Sequence, residues 1–263
     1  MPKNDFKTVL ITGASSGLGE GLVERFVRDG HTVIATARRG VLLEALASRL
    51  NAECSGRCIP RVCDVQFEEE VSAVVAWAES EIGPLDVVIA NAGISESTSA
   101  EHVQTALMER VLKTNILGVM YTFNAVIPYM VKRGAGHLVC MSSLAAYRGL
   151  PGAGAYCASK AAVSALTESY RLDLKRFGID VTVLQPGWIQ TPLTDRNAYS
   201  MPLRMSRHAG VDRLYRAIVC RRAVASFPWL LAMGVRLLWL LPACFYDAVM
   251  ANRRNMKSGF HFE

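Results

Sequence analysis

The chain has 263 residues, 51% of them hydrophobic, and 29 Lys and Arg against 23 Asp and Glu give a formal net charge of +6. This length supports one sizeable core and is short for two independent ones. The basic excess lies in residues 201–263, which hold ten Lys or Arg and three acids, and because this segment is also strongly apolar, nucleic-acid binding explains its charge poorly.

Seven cysteines are scattered along the chain, and none of them forms a CxxC pair. Cys54, Cys58 and Cys63 cluster without a nearby histidine, so we interpret the cysteines as reduced thiols of a cytoplasmic protein and predict no metal site. The N-terminal residues lead into a strand almost at once and show no signal-peptide pattern, which agrees with that compartment.

Short apolar runs alternate with helical patterns along the chain. The runs, in order, are KTVLIT, HTVIATAR, RCIPRVCDV, LDVVIANAG, GHLVCMSS and IDVTVLQPG. Two of the intervening helices are predicted from about Thr105 to Lys132 and around Tyr156 to Arg176. Such alternation predicts right-handed βαβ units, and near-continuous apolar runs are typical of buried parallel strands. We therefore predict one α/β domain over residues 1–263, a doubly wound, Rossmann-type parallel sheet with helices on both faces.

A glycine-rich loop, TGASSGLG, joins the first strand to the first helix, with glycines at positions 13, 17 and 19. Free N–H groups and a partial positive charge make a helix N-terminus a good site for a pyrophosphate. The spacing GxxxGxG differs from the common GxGxxG, so the position directly after the first strand carries this interpretation. A flexible turn is the alternative.

Five motifs in order resemble those of the short-chain dehydrogenase/reductase family. They are TGASSGLG, NAG at residues 91–93, Asn115 in NILG, SS…YCASK ending at Lys160, and PG followed by Thr191. The resemblance covers residues 7 to about 195. It implies hydride transfer between a nicotinamide and a small-molecule carbonyl or secondary alcohol. It also implies a seventh strand beginning in RRAVASFPW, and association into a homodimer or homotetramer.

Tyr156 and Lys160 are four residues apart and therefore share one helix face. A neighbouring ammonium favours the phenolate and lowers the ordinary tyrosine pKa of about 10, which suits a proton donor. The resemblance assigns proton transfer to Tyr156, the nicotinamide ribose hydroxyls to Lys160, the substrate oxygen to Ser143, and a water linking Lys160 to solvent to Asn115. Simpler alternatives are a solvated lysine beside a packed tyrosine, a helix-capping serine, and an asparagine that fills a kink.

The end of the second strand indicates which dinucleotide is bound. Thr36 and Ala37 are followed by Arg38 and Arg39, with no acid that would bind a free ribose hydroxyl and repel a 2′-phosphate. A guanidinium pairs well with phosphate, so we predict NADP(H) rather than NAD(H), with Arg38 as the main contact. Ser16 stands where many NADP-preferring relatives carry a basic residue. Two solvated arginines at a helix start are the alternative.

The full set of predicted cofactor-binding residues follows from the motifs and the resemblance. Its members are Gly13, Ser15, Ser16, Gly17, Leu18, Gly19, Arg38, Arg39, Asp64, Val65, Asn91, Ala92, Gly93, Tyr156, Lys160, Pro186, Gly187 and Thr191. The resemblance puts residues 64–65 beside the adenine and residues 186–191 at the nicotinamide carboxamide.

Residues from about 188 to 210 resemble the variable substrate loop of the family. Trp188, Met201, Leu203 and Met205 suggest an apolar pocket for a bulky hydrophobic ketone or secondary alcohol. Packing of these side chains without a functional role is an equal alternative.

Residues from about 229 to 263 form an apolar and basic C-terminal extension, predicted to be helical. Arg236 and Pro242 interrupt its apolar run, so a membrane-spanning helix is not expected. We consider three roles for this extension: an oligomer interface, a lid over the site, and a peripheral membrane contact. Analogy with the family favours the first two. A catalytically silent dinucleotide-binding or membrane-associated scaffold is the rival function, and the Asn115, Ser143, Tyr156 and Lys160 tetrad speaks against it.

Overall fold

The computed structural model describes residues 6–98, 100–101, 103–195 and 201–255, with side chains described up to residue 250. Residues 196–200 of the predicted substrate loop and residues 256–263 of the predicted C-terminal extension lie outside these ranges.

One parallel sheet of seven strands runs through the molecule in the order β3-β2-β1-β4-β5-β6-β7. The strands are β1 (Thr8–Thr12), β2 (Thr32–Ala37), β3 (Arg57–Val62), β4 (Val87–Ala90), β5 (Gly136–Met141), β6 (Ile179–Pro186) and β7 (Val224–Phe227). The chain crosses from β3 back to the other side of β1 at β4, so the strand order reverses there. The predicted seven-stranded, doubly wound sheet is confirmed. Ligands of such sheets bind at the carboxyl ends of the strands beside this reversal.

Ten α-helices connect and extend the strands in the described part of the chain. They are α1 (Gly17–Arg28), α2 (Gly40–Glu53), α3 (Glu68–Glu81), α4 (Thr105–Leu112), α5 (Gly118–Arg133), α6 (Gly154–Leu174), α7 (Pro192–Asp195), α8 (Arg207–Val219), α9 (Trp229–Leu240) and α10 (Ala243–Asn255).

The two faces of the sheet carry separate apolar layers because successive side chains of a strand point in opposite directions. In β1, Val9 and Ile11 join the layer formed with α1, α2 and α8, where Phe26 is fully buried. Leu10 points the other way, into the layer formed with α3, α5 and α6 around Phe123. Both faces are thus covered, as the uninterrupted apolar strands predict.

The long predicted helix from Thr105 to Lys132 is present but not uniform. A π-helical turn, Lys113–Leu117, separates α4 from α5 and contains Asn115. Such a turn inserts one extra residue into a helix and is frequent at functional sites.

The chain continues past β7 into the two helices of the predicted C-terminal extension, α9 and α10. Leu231 and Ala232 of α9 face the body of the protein, where Ala232 is buried.

Among the described helices, none combines the length and the apolar character needed to cross a membrane.

His137 of β5 generates a prediction about acid stability. Its Nε2 lies 2.8 Å from the Thr182 hydroxyl, and burial lowers its pKa from 6.5 to about 4. The unfolded chain therefore takes up this proton first as the pH falls, and stability is lost between pH 6.5 and about 4. That difference corresponds to about 3 kcal/mol of unfolding free energy.

We expect a His137→Asn variant, which cannot charge at this position, to lose less stability than the wild type across that range. Urea unfolding at both ends of the range measures the difference. The control is His208→Asn, which removes an exposed histidine. Equal pH dependence in the wild type and in His137→Asn would contradict the assignment.

Candidate active site

A cavity of about 470 Å³ opens at the carboxyl ends of the strands. Every predicted cofactor-binding residue lines it, and so does Ser143. Asn115 lies behind the wall, fully buried. The sheet therefore brings together residues from the whole span between Gly13 and Thr191, and their individual binding roles stay predictions.

The glycine loop packs closely on itself and on the segment after β4 at one end of this cavity. Gly13 has φ +67°, and a Cβ there would lie 2.7 Å from Ala92 Cα. A Cβ on Gly19 would lie 2.3 Å from the Gly13 carbonyl oxygen. The Ser16 side chain does not cap α1. The first N–H groups of α1 are therefore available to an anion, and this end of the cavity fits the pyrophosphate of a dinucleotide.

The ends of β1 and β4 are joined beneath the loop by four hydrogen bonds that Asn91 and Ala92 donate. The backbone N–H groups of Asn91 and Ala92 each donate to Thr12 Oγ1 over 3.1 Å. Asn91 Nδ2 donates to the carbonyls of Thr12, over 2.9 Å, and Gly13, over 3.2 Å. Asn91 therefore braces the loop through its side chain while it also lines the cavity.

Tyr156 and Lys160 lie in the first half of α6 and both reach the cavity. Lys160 Nζ is 5.7 Å from the centroid of the Tyr156 ring and donates to the Met141 carbonyl over 2.8 Å. Only 4% of Lys160 is exposed, so the alternative of a solvated lysine is wrong. Burial lowers the pKa of its ammonium. This positive charge is fixed beside the phenol rather than free in solvent.

Asn115 points from the π-helical turn toward the segment that follows Gly93. Its Oδ1 accepts from the Ile94 N–H over 2.8 Å, and its Nδ2 donates to the Ile94 carbonyl over 2.9 Å. The same Nδ2 donates to Ser159 Oγ over 3.0 Å, which ties the segment to α6. A Cβ on Gly93 would lie 3.3 Å from Asn115 Oδ1 and 3.4 Å from Lys160 Nζ. The water-holding role of Asn115 stays a prediction.

The two serines after β5 point in different directions, as strand alternation predicts. Ser142 is buried and donates to the Lys160 carbonyl over 3.0 Å. Ser143 Oγ accepts from the Ala145 N–H over 3.1 Å and donates to the Pro186 carbonyl over a long 3.4 Å. Ser143 therefore caps a short turn and also presents a weakly held hydroxyl at the cavity.

The two arginines after β2 have different partners. Arg39 Nη2 donates to the hydroxyls of Ser15 and Ser16, each over 2.7 Å. Arg38 has 61% of its side chain exposed and lies 3.8 Å from an Asp64 carboxylate oxygen. Position 16 holds a serine and not a basic residue, but the Arg39 guanidinium binds this serine and so supplies a positive charge at that place.

Several lining residues were not identified from the sequence. Ile94, Ser95 and Glu96 line the cavity from the segment after β4, and Arg110 of α4 forms an ion pair with Glu96 over 3.0 Å. Outside the lining, Thr98 Oγ1 accepts from the Ala155 N–H over 3.3 Å at the start of α6. These pairs are far apart in sequence and belong to no motif, so only the structure reveals them.

The substrate loop contributes different residues from those that the sequence suggested. The described part of this loop lines the cavity with Ile189, Pro192 and Leu193 and not with Met205. Met205 packs against the main core and pairs in a β-bridge with Ile189. The interpretation of Met205 as a pocket residue is therefore wrong, and the packing alternative holds for it. Trp188, Met201 and Leu203 also lie outside the lining of the described cavity.

All seven cysteines lie in the described part of the chain and have free thiols there. Burial raises the pKa of the Cys58 thiol to about 11 and that of Cys63 to about 12. Within the described ranges, no cluster of three or more His, Cys, Asp or Glu side chains could hold a metal ion.

Known proteins are similar to this chain in sequence and in fold. The family model for the short chain dehydrogenases matches residues 7–200. An uncharacterised oxidoreductase of Myxococcus xanthus is 40% identical over 255 residues, which cover 97% of this chain and 100% of that protein.

Two solved structures resemble the whole chain. A short-chain dehydrogenase from Sphingobium yanoikuyae in complex with NADPH has a TM-score of 0.78 and 29% identity, over 97% of this chain and 96% of that one. A bulky-bulky ketone specific alcohol dehydrogenase from Comamonas testosteroni has a TM-score of 0.76 and 25% identity, over 98% and 96% of the two chains.

Burial of the Lys160 ammonium predicts a pH dependence of stability in the cofactor-free protein. Because its pKa is lowered from 10.5, the unfolded chain holds this proton to a higher pH than the native chain does. Stability therefore rises with pH between the lowered pKa and 10.5. We expect Lys160→Met to remove this rise and to increase the melting temperature near neutral pH by a few degrees.

Thermal unfolding from pH 7 to pH 10, without cofactor, measures the effect. Lys132→Met, at an exposed lysine of α5, is the matched control and should follow the wild type. A wild-type melting temperature that rises no more steeply than that of Lys160→Met would argue against a penalty from the buried charge.

Proposed function

Because the chain belongs to the short-chain dehydrogenase/reductase family of oxidoreductases, we propose that it interconverts a bulky, apolar ketone and its secondary alcohol with NADP(H) as cofactor. The observation that carries this proposal is the single cavity shared by the glycine loop, the two arginines after β2 and the buried Lys160 beside Tyr156. We propose reduction of the ketone as the favoured direction, in a reducing cytoplasm. Association into a homodimer or homotetramer is part of the proposal by analogy with the family.

The chemistry of the site divides between cofactor and protein. A bound nicotinamide supplies the hydride that the carbonyl carbon accepts, and the protein positions the reactants and moves the proton. In this proposal Tyr156 gives its phenolic proton to the developing alkoxide. The Lys160 ammonium, 5.7 Å from the ring, favours the phenolate that remains.

Ser143 stabilises the same oxygen in this mechanism. Its hydroxyl proton is donated to the Pro186 carbonyl over a long 3.4 Å, so it can be redirected to the substrate at little cost while the oxygen still accepts from the Ala145 N–H. A donor aimed at an oxygen on which negative charge develops lowers the barrier. Asn115 acts from behind by fixing the backbone that follows Gly93.

The charges near the glycine loop support NADP(H). Arg39 is held over the loop by Ser15 and Ser16, and the exposed Arg38 has only a 3.8 Å ion pair with Asp64. A 2′-phosphate would gain two cations here, whereas a free ribose hydroxyl would meet no carboxylate on β2. The related Sphingobium enzyme was solved with NADPH.

Apolar residues in the cavity wall support an apolar substrate. Ile94, Ile189, Pro192 and Leu193 are among the residues that line the cavity. The related Comamonas enzyme is described as specific for ketones with two bulky groups. A pocket of this kind discriminates by volume and apolar contact.

A catalytically silent scaffold is not favoured. Burying the Lys160 ammonium costs folding free energy, and a protein without a reaction gains nothing from placing it beside a tyrosine.

Tyr156→Phe tests the proton donor. We expect turnover to fall by at least about a hundredfold, the usual contribution of a general acid, while NADPH binding persists. Absorbance of the nicotinamide band measures turnover on a panel of ketones, and fluorescence titration measures cofactor binding. Tyr129→Phe, at an exposed position of α5, should behave as the wild type. Full turnover in Tyr156→Phe would rule out this role.

Arg38→Ala tests the cofactor preference. Loss of a charge-assisted hydrogen bond should raise the KM for NADPH by about ten- to a hundredfold and leave the KM for NADH nearly unchanged. Steady-state kinetics with both cofactors measures the change, with Arg57→Ala at an exposed arginine of β3 as control. A wild-type enzyme with a higher kcat/KM for NADH than for NADPH would refute the preference.

A further inference from the structure

The C-terminal helices expose a large apolar surface, here called the α9–α10 face. In α9 its residues recur at helical spacing on one side, and α10 adds two more one turn apart. Its members are Trp229, Leu230, Met233, Leu237, Leu240, Phe245 and Val249. Trp229 is 63% and Leu237 60% exposed, so these are large side chains left mostly in water. Apolar surface of this kind marks an interaction site.

Polar contacts hold this face outward. Arg236 donates to the Tyr147 hydroxyl and to Ser226 Oγ, each over 3.1 Å. Arg148 donates to the carbonyls of Trp239 and Leu241, each over 3.2 Å, at the end of α9 where the helix dipole is negative. The helices could not turn their apolar side inward as a lid without breaking these bonds.

The inner side of α9 is already occupied by the protein itself. A Cβ on Gly187 would lie 2.6 Å from Leu231 Cδ2 and 3.3 Å from Leu144 Cδ1. The helix is therefore a fixed wall of the molecule, and only its outer side is free to meet a partner.

Charge decides between a second copy of the chain and an anionic lipid surface. Residues 229–263, the two helices and the residues that follow them, carry four Lys or Arg (Arg236, Arg253, Arg254 and Lys257) against two acids (Asp247 and Glu263). A symmetric contact between two copies would bring the same positively charged segment to both sides of the interface. An anionic bilayer attracts that charge, and Trp side chains favour the level of the lipid headgroups.

We propose that the α9–α10 face binds the surface of an anionic lipid bilayer. A helix of 12 residues, as α9 is, measures about 18 Å and is shorter than the roughly 30 Å hydrocarbon core. In this arrangement α9 lies along the interface, with its exposed leucines in the acyl boundary. This binding is independent of the proposed reaction.

Co-sedimentation of the full chain with vesicles tests the proposal. We expect binding to vesicles of equal parts phosphatidylserine and phosphatidylcholine, weaker binding when salt is added, and weaker binding to phosphatidylcholine alone. Leu237→Gln should lower the partition coefficient by about tenfold, because a mostly exposed leucine no longer enters the lipid. Leu172→Gln is the matched control, a leucine of α6 with 66% exposure, and should bind as the wild type does.

Leu240→Gln, at a second exposed position of the face, repeats the test with an independent variant. Circular dichroism and turnover on a water-soluble ketone should match the wild type in both variants. Because the readout is vesicle binding, its failure would leave the proposed reaction standing, and a chain without turnover could still bind lipid.

Three results would overturn the proposal. The first is the absence of binding to phosphatidylserine vesicles, and the second is an equal loss of binding in Leu172→Gln. The third is a wild-type dimer that Leu237→Gln converts to a monomer in sedimentation velocity without lipid, since the face would then join two copies of the chain.

Discussion

A positive charge held inside the protein organises the rest of the site. Lys160 reaches the end of β5, where the Met141 carbonyl accepts from its ammonium, and in the described part of the chain no carboxylate forms an ion pair with it. The charge therefore acts on whatever else enters the cavity, above all on the Tyr156 phenol. Gly93 lies close to Lys160 and lines the cavity, and the buried Asn115 holds the backbone that follows it.

Much of the fold and of the lining could be predicted from the sequence because both depend on local patterns. Apolar runs of strand length gave six strands from periodicity alone. The parallel arrangement then implied that segments following β1, β4 and β5 meet at one edge. Motifs in those segments consequently line one cavity. The strand β7, which the resemblance implied, and helices within the predicted C-terminal extension are also present.

Contacts between distant residues could not be predicted in this way. Arg39 donates to serines 23 and 24 residues away, and the Arg110–Glu96 pair spans 14 residues. Each depends on a side-chain conformation and on the approach of two loops, neither of which has a periodic signature. Met205 shows the same limit, since an apolar side chain in a loop fits a pocket and a core equally well until its neighbours are known.

The π-helical turn before α5 has a geometric consequence. One added residue rotates all side chains downstream by roughly 100° about the helix axis. Side chains before and after Leu117 can therefore face different neighbours than a regular helix would allow. Upstream, Asn115 is directed at the Ile94 backbone; downstream, Phe123 is directed at the sheet. Deleting a single residue here would leave a regular α-helix in place of the π-helical turn. Either the Asn115 amide would then point away from the Ile94 backbone, or the apolar side chains of α5 would no longer face the sheet.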